Sequence, residues 1–332
     1  MKNFGIFGCG VIANVHAMAI RSITGAKLVG CADVNMKAAA TFADNYRIRY
    51  YDNLEHMLKD PEIDIVCVCT PNGTHAEIAI QILKADKHVI VEKPMATTTI
   101  DCDKMIEAAN KSKGKIMVIS QLRMSNSVVR AKEIIDNGQI GKIILCSLSM
   151  PYYRSEAYYH NSWRGTVKMD GGGALMNQGI HGVDLLQYMV GRAKKIKSIV
   201  KTLAHNIEVE DAAVCALEFE SGAVGVIQAT TAVNPGFDRE IKIYGTNGCI
   251  FLRENKLEKV VIDGEEQACE LFVSKGNAND AALVTEEEHA KQIRRFVRAL
   301  EGMDYDYVDG PEGRKAVEII ERIYWAGRED RN

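Results

Sequence analysis

The stretch GIFGCGVIANVHAMA, residues 5–19, decides the fold of this chain. A short apolar strand leads into Gly8 and Gly10, and an apolar helical pattern follows with Ala13 at the third small position. The first two glycines permit a tight turn and a close approach of backbone N–H groups to a pyrophosphate, and the small third residue permits close helix–strand packing. The stretch therefore predicts a dinucleotide-binding βα unit at the N-terminus.

Asp33 ends the next predicted strand, KLVGCAD. A carboxylate there can accept hydrogen bonds from both ribose hydroxyls of NAD, whereas it would repel a 2′-phosphate. The following residues, Val34, Asn35 and Met36, include no arginine. We therefore expect NAD rather than NADP as the cofactor. The alternative is a glycine-rich turn beside an aspartate that faces water.

The first 120 residues alternate strand and helix signals. Nearly continuous apolar strands separated by helices are typical of a parallel sheet that is covered on both faces. This pattern predicts an α/β fold with an N-terminal doubly wound parallel sheet. The predicted strands are residues 3–8, 27–33, 63–71, 88–94 and 115–120, and the predicted helices are residues 11–23, 36–46, 74–83 and 100–110.

The pattern changes after residue 123. Alternating strands with turn signals such as ESGA and GTNG predict a second α/β domain with a large, mostly antiparallel, open sheet. We place the dinucleotide-binding domain at residues 1–121 and the substrate-binding and oligomerisation domain at residues 122–332, with a last helix that could pack back on the first domain. The predicted elements are helices at 128–137, 170–191, 286–300 and 312–326, a strand at 142–150, and several strands between 197 and 272.

Composition excludes several classes of function. The net charge of −3 over 332 residues gives no basic surface for nucleic acid, and no apolar run is long enough to span a membrane. The N-terminus has no apolar signal region. The nine cysteines are odd in number and are scattered along the chain. These features predict a cytoplasmic protein with reduced cysteines.

Polar side chains follow two further strands of the predicted parallel sheet. Thr70, Pro71 and Asn72 end the third strand, and His75 begins the next helix. Ligands of doubly wound sheets bind at the carboxyl ends of strands, so this loop is predicted to line the site. The alternative is that Thr74 simply caps the helix, and both can hold.

Glu92 and Lys93 end the fourth strand in the segment VIVEKPMA. A lysine at the carboxyl end of an internal strand is a candidate acid, base or electrostatic stabiliser if it points into the cleft. The alternative is a lysine on a solvated loop.

The segment DGGGALMNQGIHGVDLLQYMVG, residues 170–191, places Asn177, His181 and Asp184 on one helical face. Tyr188 shares that face. One interpretation is a catalytic face, and the other is the solvated side of an amphipathic helix.

Together these motifs resemble the Gfo/Idh/MocA family of glucose–fructose oxidoreductase and inositol dehydrogenase-like enzymes. The resemblance rests on GCGxIAxxH at 8–16, TPN at 70–72, EKP at 92–94 and GGGxLMNxGIHxxD at 171–184. It implies an NAD(P)-dependent oxidoreductase of sugars, polyols or nucleotide sugars. It also implies that Lys93 and His181 face the nicotinamide. Asn177 stands where many relatives carry an aspartate, which places more of the proton chemistry on Lys93 and His181.

The candidate site residues fall into three groups. The catalytic candidates are Lys93, His181 and Asp184. The substrate-binding candidates are Lys93, Arg123, Asn177 and His181. The cofactor-binding candidates are Gly8, Gly10, Val11, Ile12, Asp33, Thr70, Pro71, Asn72, His75, Glu92, Lys93, Gln121, Trp163 and Arg164.

Alternatives accompany several of these candidates. Gln121 and Arg123 could instead form interdomain contacts, and the aromatic loop around Trp163 could be a packed surface or a subunit contact. His181 and Asp184 lack a third ligand at a supporting spacing, so we expect no metal site. His289 is interpreted as a surface or structural histidine.

The sequence thus predicts hydride transfer between a secondary hydroxyl of a sugar-type substrate and NAD. Either Lys93 or His181 would serve as the base, and the other would stabilise the developing alkoxide. Two alternatives remain: a transient-redox NAD-dependent glycosidase or lyase of the same family, and a non-enzymatic dinucleotide-binding redox sensor. The open sheet predicts a homodimer or homotetramer packed through strands near residues 214–217 and 224–229.

Overall fold

The computed structural model describes residues 1–160, 163–269 and 286–329. The chain divides into two compact units. The first contains Met1–Gln121 and Thr285–Arg314, and the second contains Leu122–Val284 and Lys315–Asn332. The sequence-based division places everything after residue 121 in one domain, whereas here the segment 285–314 returns to the first unit.

The first unit is built on a six-stranded parallel sheet, which confirms the predicted doubly wound architecture. Its order is β3-β2-β1-β4-β5-β6. The strands are β1 (Lys2–Phe7), β2 (Ala26–Ala32), β3 (Arg49–Tyr51), β4 (Ile65–Val68), β5 (His88–Val91) and β6 (Ile116–Val118). Sequence analysis missed β3, because this short edge strand is mostly exposed and carries no apolar signal.

Helices alternate with these strands. They are α1 (Val11–Arg21), α2 (Met36–Tyr46), α3 (Leu54–Leu58), α4 (His75–Lys84) and α5 (Thr99–Lys111). Side-chain caps define several of the helix starts: the Asn35 side chain accepts hydrogen bonds from two N–H groups of α2, and Thr98 accepts one in α5. The first helix, α1, begins at Gly10 without a side-chain cap.

The second unit is built on an eight-stranded sheet of order β14-β13-β12-β11-β7-β10-β9-β8. Its neighbouring strands are antiparallel except for β7 and β10, as predicted for a mostly antiparallel sheet. The strands are β7 (Ile143–Pro151), β8 (Ala193–Lys201), β9 (Ala212–Phe219), β10 (Val224–Thr230), β11 (Glu240–Gly245), β12 (Gly248–Arg253), β13 (Lys256–Ile262) and β14 (Glu265–Glu266).

Two helices pack on one face of this sheet, α6 (Asn126–Asp136) against β13 and α8 (Ile180–Val190) against β7. A short helix, α7 (Glu156–Tyr159), follows β7 in the chain. The predicted single helix over 170–191 is wrong in one respect, because Ala174–Gly179 forms a π-helical segment before α8 begins. The other sheet face leaves Ile199, Val214, Val224 and Val226 exposed.

Two helices close the described chain. The helix α9 (Glu287–Leu300) contributes Ile293 and Phe296, both fully buried, to the core of the first unit beside Phe4 and Ile20. The helix α10 (Gly310–Glu329) runs across the division between Arg314 and Lys315. Among the described helices, none combines the length and the hydropathy that crossing a bilayer requires.

Candidate active site

The two glycines of the turn after β1 differ in the space around them: a side chain would clash at Gly8 but not at Gly10. Gly8 has φ +94°, and a Cβ built there would lie 2.6 Å from the carbonyl oxygen of Cys69. No other residue type fits this position without strain. A Cβ built on Gly10 meets no atom within 4 Å. The open space at Gly10 is the cradle that a bound phosphate needs.

The N-terminus of α1 faces this open space. Its first N–H groups have no side-chain cap, no acidic residue lies in its first turn, and Val11 is 72% exposed. Uncapped N–H groups and the helix dipole together favour a bound anion. The third position of the motif, Ala13, is fully buried, as close helix–strand packing requires. The residues present therefore fit the pyrophosphate of a dinucleotide.

Asp33 directly follows β2, and its carboxylate lies beside the glycine turn. Oδ2 accepts a hydrogen bond from the Cys9 N–H at 2.7 Å, and Oδ1 accepts one from the Asn35 N–H at 2.7 Å. Each carboxylate oxygen keeps acceptor capacity beyond one N–H bond, so the group can also receive ribose hydroxyls. The neighbouring Val34 is 93% exposed and supplies no cation for a 2′-phosphate.

His75 joins two loops at the carboxyl edge of the parallel sheet. Its Nε2 lies 2.9 Å from the carbonyl oxygen of Thr70, and its Nδ1 lies 2.8 Å from that of Pro94. The ring is fully buried. Burial lowers the pKa of His75, so the neutral ring carries one N–H and donates to one of the two carbonyl oxygens. This predicted cofactor-binding residue thus lies between the TPN and EKP loops, and Asn72 in the first loop is also buried.

The EKP turn follows β5, two positions from β1 in the sheet order. Glu92 is 5% exposed, whereas Lys93 is half-buried. The Oε1 atom of Glu92 lies 2.8 Å from His16 Nε2, and its Oε2 atom accepts the Lys93 N–H at 3.1 Å. Burial opposes ionisation of this carboxyl, but the hydrogen bond with His16 and the nearby His289 ring hold the pKa of Glu92 well below its usual range.

In the second unit, a buried carboxylate supports the segment that carries Asn177 and His181. Glu210 accepts the Gly173 N–H at 2.9 Å and the Leu175 N–H at 2.8 Å. The Tyr324 hydroxyl donates to the same carboxylate at 2.8 Å. These contacts satisfy donors at the start of the π-helical segment. Sequence analysis missed Glu210 and Tyr324.

The three polar residues Asn177, His181 and Asp184, which we call the polar trio, do not form a solvated helical face. Asn177 and Asp184 are both buried, and only His181 of the three is half-buried. The Asn177 Nδ2 atom donates to Asp170 Oδ1 at 2.6 Å. Asn177 also lies in the π-helical segment, so the constant 100° step assumed for the trio does not hold through this region.

Asp184 and Arg123 form a buried, two-point ion pair. Arg123 Nε donates to Asp184 Oδ2 at 2.9 Å, and Nη2 donates to Oδ1 at 2.5 Å. The guanidinium also lies 4.4 Å from the centre of the Tyr188 ring. These two predicted site residues are therefore brought together within the second unit, where they fix α8 against the residues that precede α6.

The aromatic loop supplies a further cationic position. The Arg164 guanidinium lies 4.6 Å from the Tyr158 ring centre and 5.1 Å from the Trp163 ring centre. Two residues of this loop, Asn161 and Ser162, lie outside the described residues. Gln121, at the end of the first unit's leading segment, is buried.

Comparisons with known proteins agree with this architecture. A family profile described as an oxidoreductase family with an NAD-binding Rossmann fold matches residues 2–120, and one described as the GFO/IDH/MocA C-terminal domain matches residues 128–251. The myo-inositol 2-dehydrogenase of Thermotoga maritima is 26% identical over 327 residues, covering 94% of this chain and 92% of that protein.

Two further relatives cover most of the chain. The levoglucosan dehydrogenase of Pseudarthrobacter phenanthrenivorans is 28% identical over 306 residues, covering 80% of this chain and 77% of that protein. The crystal structure of the WlbA dehydrogenase from Bordetella pertussis with NADH and UDP-GlcNAcA matches with a TM-score of 0.86 at 28% identity, covering 99% of this chain and 97% of that chain. With both of its domains matched, the chain belongs to the Gfo/Idh/MocA family of NAD-binding oxidoreductases.

Proposed function

We propose that this protein transfers a hydride between a secondary hydroxyl of a sugar, polyol or nucleotide sugar and NAD. One observation carries the assignment of the site. Lys93 follows the carboxyl end of β5, in the same parallel sheet whose β1 ends at the phosphate cradle and whose β2 ends at Asp33. In a parallel sheet the carboxyl ends lie along one edge, so the cofactor-binding and reacting groups share that edge.

Bound NAD supplies the hydride acceptor in oxidation and the hydride donor in reduction. Two residues of the chain bind the substrate hydroxyl and move its proton. One of Lys93 and His181 takes or returns its proton, and the other hydrogen-bonds the same oxygen and stabilises the negative charge that develops there. The ion pair with Arg123 supports a positioning role for Asp184, because the pair fixes the helix on which His181 lies.

The substrate class is proposed from the family and from the groups available in the second unit. The relatives named above are dehydrogenases of myo-inositol and levoglucosan, and the WlbA structure contains a nucleotide sugar. Asn177, Arg164 and Trp163 offer an amide, a guanidinium and an aromatic face, which are the groups that bind sugar hydroxyls and rings.

We also propose a homodimer or homotetramer in the cytoplasm that does not engage nucleic acid. Ile199 and Val214 are cross-strand neighbours on the exposed sheet face, and they are 64% and 52% exposed. Val224 and Val226 lie on β10, the next strand. An apolar strip of this kind favours burial against a second copy. The nine cysteines are all free thiols, which supports a reducing compartment.

The test is a panel of sugars, polyols and nucleotide sugars scored by absorbance of the reduced nicotinamide. Lys93→Met should lower kcat about a hundredfold or more, the scale of a lost acid–base or oxyanion partner, while its affinity for NAD stays unchanged. The matched control is Lys87→Met at the amino end of the same strand, where the lysine binds two backbone carbonyls. The control should keep its kcat.

Three outcomes would contradict the proposal. Near-normal kcat in Lys93→Met would remove the catalytic role of Lys93. Substrate turnover without net NADH would indicate a transient redox cycle. Tight NAD binding with no turnover across the panel would favour a redox sensor.

A further inference from the structure

A buried group of three side chains lies behind Lys93 in the first unit. His16 of α1, Glu92 after β5 and His289 of α9 each bring one nitrogen or oxygen atom within 4.8 Å of the others. Both histidines are fully buried and Glu92 nearly so. We call these residues the buried triad.

Glu92 is the centre of the triad. Its Oε1 atom lies 2.8 Å from His16 Nε2 and 3.5 Å from His289 Nε2. The two imidazole rings meet edge to face, with their centres 5.4 Å apart. The other carboxylate oxygen is directed away from the histidines and accepts the backbone N–H of Lys93. The carboxylate is thus anchored on one side and holds the Lys93 turn on the other.

The surroundings of the triad favour its ionised form although it is buried. Burial disfavours a protonated His16, yet Cys69 and Glu92 together raise the pKa of His16 to about 10. Burial also raises the pKa of the Cys69 thiol to about 11, so Glu92 is the partner that is charged at neutral pH. A buried ion pair is weak evidence for stability, because its desolvation cost offsets most of the Coulomb attraction. A role other than stability is therefore the stronger explanation.

We infer that the buried triad is a positioning device that couples the cofactor helix α1 to the Lys93 turn. Glu92 fixes the backbone of Lys93, His16 fixes Glu92 to α1 six residues beyond Gly10, and His289 closes the group from α9. This inference rests on the proposed function, since it assigns the triad the task of holding Lys93 where it reacts. These three residues are positioning residues, because none of them is assigned a contact with substrate.

The geometry favours this role over a metal site. Ligand atoms of a tetrahedral zinc ion at its usual bond lengths stand about 3.3 Å or more apart. The 2.8 Å contact between Glu92 Oε1 and His16 Nε2 is instead the length of a hydrogen bond. The carboxylate and the imidazole satisfy one another directly.

The experiment compares Glu92→Gln, Lys93→Met and the double variant, with Lys87→Met as the control on the same strand. Glu92→Gln should lower kcat about ten- to a hundredfold, the scale of a misplaced reacting group, with the Kd for NAD and the KM for substrate within about threefold of the native values. In the Lys93→Met background, adding Glu92→Gln should cost nothing further, because Glu92 acts through Lys93.

A second pair of variants keeps the test independent of how well Glu92→Gln folds. His16→Gln preserves a donor near the position of Nε2, whereas His16→Leu removes it. Circular dichroism first confirms that both variants fold. His16→Gln should retain at least about threefold more kcat than His16→Leu. A purely structural role predicts equal kcat for two variants of equal stability.

The outcomes separate the two proposals. Full kcat in Lys93→Met overturns the catalytic role of Lys93 and this inference with it, whereas the absence of turnover across the whole substrate panel overturns the proposed function. Loss in Lys93→Met alongside native kcat in Glu92→Gln, or an additive loss in the double variant, overturns only the positioning role. One zinc ion per chain that survives dialysis against a chelator and is lost in Glu92→Gln would also overturn it, since the triad would then be a metal site.

Discussion

Glu92 in the first unit and Glu210 in the second are buried carboxylates that hold the backbone beside a proposed reacting residue. Glu92 accepts the Lys93 N–H, and Glu210 accepts two N–H groups at the start of the segment that leads to His181. Their partners differ. Glu92 faces two imidazoles, whereas Glu210 faces backbone amides and the Tyr324 hydroxyl.

This difference in partners shifts the pKa values of Glu92 and Glu210 in opposite directions. The hydrogen bond with His16 and the nearby His289 ring outweigh burial at Glu92 and hold its pKa low. At Glu210 burial dominates and raises the pKa, because backbone N–H groups and a phenol compensate only part of the desolvation. Burial alone therefore does not determine the direction in which the pKa of a supporting carboxylate shifts, because the charge available on its partners can outweigh it.

The largest expected effect is the loss of kcat when one of the two proposed reacting residues, Lys93 or His181, is substituted. His181→Ala should lower kcat about a hundredfold, the loss also expected for Lys93→Met, and the double variant should lose much less than the product if both residues act on one oxygen as proposed. His56→Ala, which changes an exposed histidine of α3, is the matched control and should keep native kcat. Steady-state kinetics of the four proteins measures the coupling. Multiplicative losses would show that the two residues serve separate steps.

The next effect contrasts two glycines, one from each unit. A Cβ on Gly173 would lie 1.9 Å from the backbone oxygen of Glu210, whereas a Cβ on Gly10 meets nothing within 4 Å. Gly173→Ala should lower the free energy of unfolding by about 2 kcal/mol or more, because backbone must move. Gly10→Ala should leave that energy unchanged and weaken NAD binding about tenfold, because its methyl group fills the phosphate cradle.

Urea unfolding and NAD titration of both glycine variants test this contrast. An unchanged free energy of unfolding in Gly173→Ala would show that the backbone near Glu210 moves at little energetic cost. Unchanged NAD affinity in Gly10→Ala would show that the phosphate of NAD does not bind at this turn.

The features of the first unit that could be predicted from the sequence are those encoded locally. Apolar strands and the two glycines fix the parallel sheet and its turn, and Asp33 and Lys93 stand at strand ends that the pattern marks directly. The family resemblance and the two matching profiles confirm the family. The cofactor and substrate roles of individual residues remain predictions.

The features that were missed depend on contacts distant in sequence or on a change in helical step. His16 lies 76 residues from Glu92, and Glu210 reaches Gly173 across 37 residues. The π-helical segment has no signature in hydrophobic periodicity, so the trio of 177, 181 and 184 was placed on one face. One usable signal was present: His16 interrupts the apolar face formed by Ala13, Ala17 and Ile20, which indicates a buried polar partner.

A smaller effect concerns cofactor choice at the edge of the first unit. The native protein should prefer NAD over NADP by about tenfold or more in kcat/KM, which corresponds to about 1.4 kcal/mol. Asp33→Ser should narrow this gap mainly by weakening NAD, because it removes the acceptor of the ribose hydroxyls. Asp44→Ser on the exposed side of α2 serves as the control. Equal efficiency with both cofactors in the native protein would show that Asp33 does not bind the ribose.

The effect that is smallest per pH unit is on the pH dependence of stability, and it concerns the two supporting carboxylates. A single proton changes the free energy of unfolding by at most about 1.4 kcal/mol per pH unit. His16 has its pKa raised from 6.5 to about 10 in the folded chain, so its contribution is complete below pH 6.5 and is lost as the pH rises toward 10. Glu210 has its pKa raised from 4.5, so its contribution is lost as the pH rises from 4.5 through its folded pKa.

Glu92→Gln and Glu210→Gln should therefore differ in the alkaline window. Glu92→Gln removes the charge that keeps His16 protonated, so the decline in stability between pH 6.5 and 10 should become shallower. It also removes the rise in stability that the lowered pKa of Glu92 gives as the pH increases through about 4.5. Glu210→Gln should remove the decline that begins above pH 4.5 and leave the alkaline window as it is in the native protein. Urea unfolding of the three proteins at half-unit steps from pH 4.5 to 10 measures both slopes. If Glu210→Gln flattened the alkaline decline as much as Glu92→Gln does, the partners would not be what distinguishes the two carboxylates, because each substitution removes one buried acid and differs only in the groups that surround it.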